Sequence, residues 1–576
     1  MCDVVFLTPN MSGKLGDASI GTLQLATILN EKGVSCQILP YFSFGDITDF
    51  SAFVDNVMNT IEEHSPKVVS FYTRCDVYHI VLRLAQRIKA RWENMYVIFG
   101  GPQSDITSEE TIRQIPYVDY ICCGEGEQTI YPFISSLLRG TPDLSVAGLV
   151  YRDGDQVIKN PRPKMLENLD DMPFLDYSLL KTKTGLNEKK TFGIDVGRGC
   201  PFSCVFCSTK TFWGRKYRLK SPQRICEEMQ DLHSKYGATS FKFTHDMFTL
   251  NRDKVEETCR RMNELDFKVK WGCSARLDCI DLELIDVMAD SGMYGIYMGI
   301  ETGSPRMQKL INKRLNLDRA VEIAAYLKSK NIQCVTSFIY GFPEETEEDV
   351  SQTMALMAKL LNLKTVMVQA HLCAFLVGTE LTETYKDALT PAQVYSDQTG
   401  TIAIAECQDL IQAHPELFSQ MMEYKTELRT KLEFFPQFWQ IWQIMQPVYQ
   451  YISEFYPENR LIDMYYDFVD SNRELLERLR DMPDDLWGDE LIREDRFYER
   501  FAQDGNYDII ADLYRMKRVA MSEEVRNGGS NTDMYCIAPN CEKKYDSLRD
   551  YPRCLAMVTY SKNKCDFKVY SLDQLS

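Results

Sequence analysis

Three closely spaced cysteines are the residues of this chain best suited to chemistry. Cys200, Cys204 and Cys207 follow the pattern C-x3-C-x2-C. Thiolates are soft ligands that select iron–sulfur clusters or zinc. A cubane cluster normally takes one cysteine for each iron, so three cysteines leave one iron without a protein ligand. Because an open metal position is typical of a reactive centre, the spacing predicts a catalytic cluster. The alternative is a zinc site completed by a distant fourth cysteine.

The composition restricts the classes of protein to which the chain can belong. Its 576 residues predict roughly two to four domains. The net charge of -18 argues against binding to bulk nucleic acid or to an anionic membrane. The first residues resemble a buried strand rather than a signal peptide, so the 19 cysteines predict a cytoplasmic protein whose thiols serve metals or packing. No stretch is apolar for long enough to span a bilayer.

The elements before the cysteines predict a first α/β domain. Residues 1–145 alternate apolar strands with amphipathic helices, which indicates a Rossmann-like, doubly wound parallel sheet. Strands are expected at residues 3–7, 34–39, 67–72, 96–99 and 120–122. Ligands of such sheets bind at the carboxyl ends of the strands, where glycines let the backbone approach a bulky ligand. A connector over residues 146–188, with a small hairpin and several prolines, follows this domain.

A second run of β/α units over residues 189–385 predicts a partial (β/α)6 barrel. Strands are expected at residues 191–196, 240–244, 270–274, 295–299, 333–340 and 366–372. Barrel enzymes carry their catalytic residues at the C-terminal ends of strands, and the three cysteines follow the first of these strands. Residues 386–576 predict a mainly helical C-terminal domain that recognises the substrate. Four cysteines near the end could pack, bind zinc or hold another cluster: Cys536, Cys541, Cys554 and Cys565.

The cysteine spacing resembles that of the radical S-adenosylmethionine (SAM) superfamily, and the resemblance continues over residues 190–385. It includes the motif GIETGS at residues 299–304, YGFPEET at residues 340–346 and the Gly-Thr pair at residues 378–379. The family implies that the three cysteines hold a [4Fe-4S] cluster whose open iron binds SAM. It also implies a set of SAM-binding residues, namely Phe206, Asp246, Arg276, Glu301 and Gly341.

Several of these residues have a plainer alternative role. Glu301 and Arg276, which the resemblance implies at the ribose and carboxylate ends of SAM, could be ordinary ion-pair partners of a barrel. Asp246 could cap the following helix. The adjacent His245 could act as an acid or a base, although a lone loop histidine is more often polar surface.

The N-terminal domain resembles the cobalamin-binding domain that is fused to some radical SAM enzymes. The matching segments are VIFGGP at residues 97–102, VDYICCGEGE at residues 118–127 and LDDMP at residues 169–173. The implied cobalamin-binding residues are Thr8, Asn10, Ser70, Thr73, Arg74, Gly100, Gly101, Gly124, Glu125, Gly126 and Glu127. The alternative is a domain that has lost its corrinoid and serves only as a scaffold.

One departure concerns the lower ligand of the cobalt. Many corrinoid proteins carry an Asp-x-His-x-x-Gly motif whose histidine binds the metal, and this chain lacks it. Asp76 and His79 are separated by two residues instead of one. A corrinoid in this domain is therefore expected to have no histidine ligand.

Together the two resemblances imply a cobalamin-dependent radical SAM methyltransferase that methylates an unactivated carbon of a peptide or natural-product precursor. One SAM would methylate the reduced corrinoid, and a second would give the 5′-deoxyadenosyl radical that prepares the substrate to take the methyl group from methylcobalamin. The expected partners are a small-molecule or peptide substrate and an electron donor such as flavodoxin or ferredoxin. The alternatives are a radical rearrangement, oxidation or cyclisation without methyl transfer, and a corrinoid-binding sensor or carrier.

Overall fold

The computed structural model describes residues 2–9, 19–40, 49–180, 191–363, 366–400, 403–480 and 494–501, and the backbone alone of residues 554–561 and 564–571. The chain forms two compact units. The first unit comprises Met1–Glu345 and Leu363–Glu427, and the second comprises Thr346–Asn362 and Leu428–Ser576.

The first unit begins with a seven-stranded sheet. Its strands are β1 Val4–Thr8, β2 Cys36–Pro40, β3 Val68–Tyr72, β4 Tyr96–Gly100, β5 Tyr120–Cys122, β6 Leu149–Asp153 and β7 Gln156–Lys159. Their order is β2-β1-β3-β4-β5-β6-β7, and the first five are parallel. The strand order extends from β1 in both directions, with β2 on one side and β3, β4 and β5 on the other. This is the doubly wound arrangement predicted from the sequence.

Helices cover both faces of this sheet. They are α1 Ile20–Glu31, α2 Phe50–His64, α3 Tyr78–Arg91, α4 Pro102–Ile106, α5 Ser108–Gln114 and α6 Ile130–Leu138. All five residues of β1 are buried, as expected for a strand covered on both sides. The small hairpin expected in the connector is β6–β7, and it pairs antiparallel with β5. The hairpin therefore extends the first sheet.

The second sheet of this unit is the partial barrel. Its strands are β8 Phe192–Asp195, β11 Ser240–Thr244, β12 Lys270–Ala275, β13 Met293–Glu301, β14 Gln333–Tyr340 and β15 Val366–Leu372. The six strands are parallel and follow one another in chain order from β8 to β15. Two short strands, β9 Gly197–Arg198 and β10 Arg218–Leu219, pair antiparallel next to β8. The six strands lie where the sequence predicts them, to within a few residues at their ends.

Helices alternate with the barrel strands. They are α7 Thr209–Trp213, α8 Pro222–Tyr236, α9 Arg252–Met262, α10 Leu282–Asp290, α11 Pro305–Leu310, α12 Asp318–Ser329 and α13 Glu347–Leu361. In β11, Phe241 and Phe243 are buried and Lys242 between them is exposed. Because strand side chains alternate between faces, the apolar residues pack outward on the helices and Lys242 lies on the face that lines the barrel interior.

The segment after the barrel contains α14 Glu380–Tyr385, β16 Thr390–Pro391, α15 Gln408–Ala413 and β17 Met422–Glu423. Part of it returns to the first sheet, where Leu410, Leu417 and Phe418 join the hydrophobic core. The Phe418 ring lies 5.8 Å from the ring of Tyr78 on α3. The polypeptide that leaves the barrel therefore packs on the N-terminal sheet.

The second unit is mainly helical. Besides α13 it contains α16 Glu427–Lys431, which straddles the boundary, α17 Phe435–Ile444, α18 Gln446–Ser453 and α19 Leu461–Leu479. The aromatic residues of α17 are buried, and the Phe438 ring packs on Phe468 of α19 at 5.2 Å. An antiparallel hairpin, β18 Cys554–Ser561 and β19 Lys564–Ser571, is an addition to the elements expected from the sequence. Among the described residues, no helix is long and apolar enough to cross a membrane.

Candidate functional site

The three cysteines lie on a loop that begins at a tightly packed glycine. Gly199 has φ +82°, and a Cβ atom there would lie 1.9 Å from the carbonyl oxygen of Lys216. Only glycine fits this position, because a side chain would separate β9 from β10. His245 holds the same residue from the other side through a 3.0 Å contact between its Nε2 and the Gly199 carbonyl oxygen.

His245 is buried, which the sequence does not reveal. A loop histidine is expected at the polar surface, but His245 is 8% exposed and its ring lies 5.3 Å from that of Tyr217. Its Nδ1 accepts a hydrogen bond from the Met247 N–H, so the proton is on Nε2 and is donated to the Gly199 carbonyl. Burial lowers the pKa of His245, which favours this neutral tautomer.

The far end of the cysteine loop is fixed by backbone hydrogen bonds. The Val205 N–H donates to the Ile311 carbonyl at 3.1 Å, and the Val205 carbonyl accepts from the Leu381 N–H at 2.9 Å. Asn312 donates from Nδ2 to the Ser203 carbonyl at 2.9 Å. The loop is therefore held by segments that follow β13 and β15.

The thiols lie near one another and near the carboxylate of Asp246. The pKa of Cys200 is raised to about 11, mainly by burial, with smaller contributions from the neighbouring Cys207, Asp246 and Cys204. Burial also raises the pKa of Cys207. These thiols are protonated at neutral pH when no metal is bound, and coordination would displace the protons. In the described part of the chain, no three His, Cys, Asp or Glu side chains converge on a single metal ion.

Arg276 and Glu301, two of the residues predicted to bind SAM, are joined through Lys313. The Lys313 Nζ donates to Glu301 Oε1 at 2.6 Å, and the Lys313 carbonyl accepts from Arg276. Arg276 also contacts the Cys204 Sγ at 3.8 Å, and its guanidinium carbon lies 3.9 Å from the centre of the Phe202 ring. Lys313 belongs to none of the sequence motifs, so its position between Arg276 and Glu301 could not be predicted from them.

Glu301 adopts an unusual backbone conformation at the end of β13. Its φ is +71°, and the pairing of β13 with β14 shifts register at this point. A residue other than glycine in this backbone conformation costs about 1–3 kcal/mol, and the conformation persists where the surroundings enforce it. Such strain is concentrated at functional sites, which supports a role for this carboxylate beyond an ordinary ion pair.

The other predicted SAM-binding residues lie around the same loop. The Phe206 ring packs against Phe342 in the turn after β14, with 6.0 Å between ring centres. Gly341, which precedes Phe342, donates its N–H to Glu345 Oε2 at 2.6 Å. Asp246 is exposed and accepts a hydrogen bond from the Thr209 hydroxyl at 3.3 Å. The structure thus brings all five residues to the barrel end that carries the cysteines.

A cavity of about 1360 Å³ lies between the carboxyl edge of the first sheet and the mouth of the barrel. The first sheet contributes eight of the eleven predicted cobalamin-binding residues: Ser70, Arg74, Gly100, Gly101, Gly124, Glu125, Gly126 and Glu127. The barrel contributes Arg198, Thr209, Trp213, Lys242 and Asp246 among others. One space therefore borders both the strand ends of the first sheet and the cysteine loop.

Two of the remaining predicted cobalamin-binding residues, Thr8 and Thr73, are not among the residues that line this cavity. Thr8 and Thr73 are fully buried. The Thr8 hydroxyl accepts from the Ser19 N–H at 3.4 Å, and the Thr73 hydroxyl donates to the Gly100 carbonyl at 3.0 Å. Their side chains shape the strand ends. Asn10 lies outside the described residues, as do Cys536 and Cys541 of the tail.

The interior of the barrel carries a histidine–carboxylate pair that no sequence motif indicates. The His371 Nδ1 lies 2.7 Å from Asp397 Oδ2, and within the described residues the buried Nε2 has no hydrogen-bond partner. The strand register places His371 on the same face of the sheet as Tyr297 and as Lys242, which lines the cavity. Burial raises the pKa of nearby Tyr297, and the carboxylates of Glu301 and Asp397 contribute to the rise.

Comparisons with known proteins agree with this architecture. Residues 194–357 match the radical SAM superfamily and residues 18–133 match the B12 binding domain. The chain is 30% identical over 306 residues to the uncharacterized methyltransferase PH0819 of Pyrococcus horikoshii, covering 53% of this chain and 67% of that protein. It is 27% identical to the anaerobic magnesium-protoporphyrin IX monomethyl ester cyclase of Cereibacter sphaeroides, over 45% of this chain and 44% of the cyclase.

A solved structure shows the same fold over most of the chain. The cobalamin-dependent SAM radical enzyme OxsB, with aqua-cobalamin bound, superposes with a TM-score of 0.60 at 13% identity and covers 92% of this chain and 81% of its own. The doubly wound sheet, the partial barrel and the three-cysteine loop define a radical SAM enzyme. The chain belongs to the group of that superfamily which carries an N-terminal B12-binding domain.

The cofactors of this family are a [4Fe-4S] cluster, SAM and cobalamin, and the residues present fit them. Three half-buried thiols on one loop supply the soft ligands that a cluster requires. Pockets for drug-sized ligands have volumes of about 300–1,000 Å³. The 1360 Å³ cavity at the sheet edge exceeds that range, as a corrinoid requires.

Proposed function

We propose that this chain is a cobalamin-dependent radical SAM methyltransferase that methylates an unactivated carbon of a peptide or natural-product precursor. The observation that carries the proposal is the single cavity shared by the first sheet and the barrel mouth. Methyl transfer to carbon requires the methyl donor and the radical site to reach the same substrate atom. A common space bordered by Gly100 on one side and Asp246 on the other supports that arrangement.

The proposal assigns a role to each group of residues. When bound, the cluster and SAM supply a 5′-deoxyadenosyl radical, and the corrinoid supplies a methyl group. Cys200, Cys204 and Cys207 hold the cluster. Arg276 and Glu301 orient the carboxylate and ribose ends of SAM, and Lys313 holds both of them in position. Phe206, Gly341 and Asp246 also bind SAM. The residues at the strand ends of the first sheet bind cobalamin.

The substrate is proposed to occupy the barrel interior beside His371. The bond from Nδ1 to Asp397 leaves Nε2 as a hydrogen-bond acceptor directed away from the carboxylate. Lys242 and Tyr297 lie on the same interior face and supply a charge and a hydroxyl. A substrate with an N–H or O–H donor would satisfy the buried Nε2 atom, which otherwise remains unpaired among the described residues.

The same proposal covers the organisation of the protein and its partners. The domain limits are residues 1–145 for cobalamin, 146–188 for the connector, 189–385 for the barrel and 386–576 for substrate recognition. A low-potential donor such as flavodoxin or ferredoxin would reduce the cluster. A cytoplasmic location would keep the cluster thiols reduced.

An anaerobic assay tests the proposal. Protein reconstituted with iron, sulfide and hydroxocobalamin is incubated with reductant, methyl-deuterated SAM and a panel of peptides and natural-product precursors. The expected result is a product that carries the CD3 group, together with 5′-deoxyadenosine, and neither from the Cys204→Ala protein. Substrate turnover without any gain of a methyl group would refute the methyltransferase assignment.

The similarity to the cyclase supports a second candidate, a radical rearrangement, oxidation or cyclisation without methyl transfer. In that case the product mass would change by loss of hydrogen or gain of oxygen and the CD3 group would be absent. A corrinoid sensor or carrier is the third candidate. It would bind hydroxocobalamin and form no 5′-deoxyadenosine under the same conditions.

A further inference from the structure

A buried group of charges forms part of the cavity wall. Arg198 of β9 contacts Glu127 Oε1 at 2.6 Å, Glu125 Oε1 at 3.2 Å and Asp195 Oδ2 at 3.3 Å. Arg218 of β10 contacts Glu125 through both terminal nitrogens, at 2.6 and 3.1 Å. These five side chains are at most 11% exposed. Two guanidinium groups therefore oppose three carboxylates, and the group has one net negative charge.

Each carboxylate oxygen of Glu125 already accepts two hydrogen bonds from the protein. Arg198 and Arg218 donate to its Oε1, and Arg218 and the Leu166 N–H, at 2.6 Å, donate to its Oε2. Burial alone would raise the pKa of Glu125, but these donors hold it below its ordinary value. Its side chain is therefore an ion-pair partner of the barrel and has no oxygen to offer to a ligand.

Glu127 differs because only one of its oxygens is used. Oε1 is held by Arg198, while the buried Oε2 has no hydrogen-bond partner among the described residues. The side chain is 9% exposed and lines the cavity. A buried carboxylate oxygen without a donor is strongly unfavourable, so its place in the cavity wall indicates a ligand that supplies an N–H or O–H.

We propose that Glu127 Oε2 accepts an N–H from one peripheral carboxamide of the corrinoid and makes the cavity select corrinoids that are amidated at that position. The rim of cobalamin carries six primary carboxamides, each with two N–H donors. A carboxylate at the same place would have no hydrogen to donate and would add a charge to a group that is already negative. The inference rests on the proposed cobalamin site and names the chemistry that Glu127 recognises there.

The test uses cobalamin derivatives in which one of the six carboxamides is a carboxylate. Their affinities for the full-length protein, reconstituted with iron and sulfide but without corrinoid, are measured by absorption titration, with no methyl acceptor present. One derivative should bind about 10- to 100-fold more weakly than hydroxocobalamin, the effect of losing a hydrogen bond to a charged group. In Glu127→Gln the side-chain amide can donate to the carboxylate, so that derivative should bind within about threefold of hydroxocobalamin.

Glu109→Gln is the matched control because it makes the same substitution in the same N-terminal domain, on helix α5, at a side chain that is 49% exposed and outside the cavity lining. The relative affinities of this variant for the six derivatives and hydroxocobalamin should be the same as those of the wild type. Equal binding of all six derivatives to the wild type would overturn the inference without any variant. Discrimination that persists in Glu127→Gln would also overturn it. Discrimination in this titration, combined with substrate turnover that adds no CD3 group in the anaerobic assay, would refute the proposed function and leave the inference standing.

Discussion

Replacing Gly199 by alanine should prevent assembly of the cluster. The new Cβ would lie 1.9 Å from the Lys216 carbonyl oxygen at φ +82°. The left-handed conformation costs an alanine about 1–2 kcal/mol, and inserting a methyl group into a packed region adds about 1–3 kcal/mol. The total of about 2–5 kcal/mol acts at the residue before Cys200. Relief requires the paired strands β9 and β10 to separate, which moves the first cluster ligand.

Gly33 provides the control because it has the same φ of +82°, and a Cβ added there would have no atom within 4 Å. Gly33→Ala should show the conformational cost alone, about 1–2 kcal/mol, as a small fall in melting temperature. Iron and sulfide per chain after reconstitution are the local measurement. Wild type and Gly33→Ala should load fully, whereas Gly199→Ala should load poorly. Equal iron content and melting temperature in the two variants would refute the packing argument.

Three further predictions concern the cluster, the buried charges and the substrate. Cys204→Ala should abolish formation of 5′-deoxyadenosine and leave hydroxocobalamin affinity unchanged; loss of both would mean that the two sites are not separable. Because the pKa of Glu125 is lowered, its ion pairs stabilise the protein above pH 4.5, and that contribution is lost as pH falls further through the folded-state pKa. The melting temperature of cluster-free wild type should therefore fall more steeply below pH 4.5 than that of Glu125→Gln, and parallel curves would contradict this. In His371→Asn the side-chain amide can still donate to Asp397, but its oxygen does not reach the position of Nε2, so KM for the methyl acceptor should rise about tenfold with kcat less affected. His371→Gln, whose longer side chain reaches the Nε2 position, should return KM towards the wild-type value.

The fold could be predicted because its signals are local in the sequence. Each barrel strand and the following helix carry their own hydrophobic pattern, and parallel strands place their C-terminal ends at one edge. The cysteines and Glu301 therefore meet without any knowledge of packing. The predicted cobalamin-binding residues are at strand ends for the same reason, and eight of the eleven line the cavity.

The contacts that hold the site together could not be predicted in this way. Glu125 and Arg218 are separated by 93 residues, and neither has a pattern that identifies the other. His371 and Asp397 belong to a strand and a later turn whose approach depends on the packed structure. The expectation that His245 lies at the polar surface is wrong, because a histidine in a loop carries no sequence signal of burial.

The shared cavity wall also bears on how the protein reaches its folded state. Residues as far apart as Ile20 and Asp246 must be in place before the wall exists, so the completed cavity is a property of the folded chain alone. A ligand that binds only the folded chain stabilises it by about 2.7 kcal/mol at a free concentration one hundred times its Kd. More folded protein should therefore accumulate when cobalamin is available during synthesis, because cobalamin would stabilise only the folded chain.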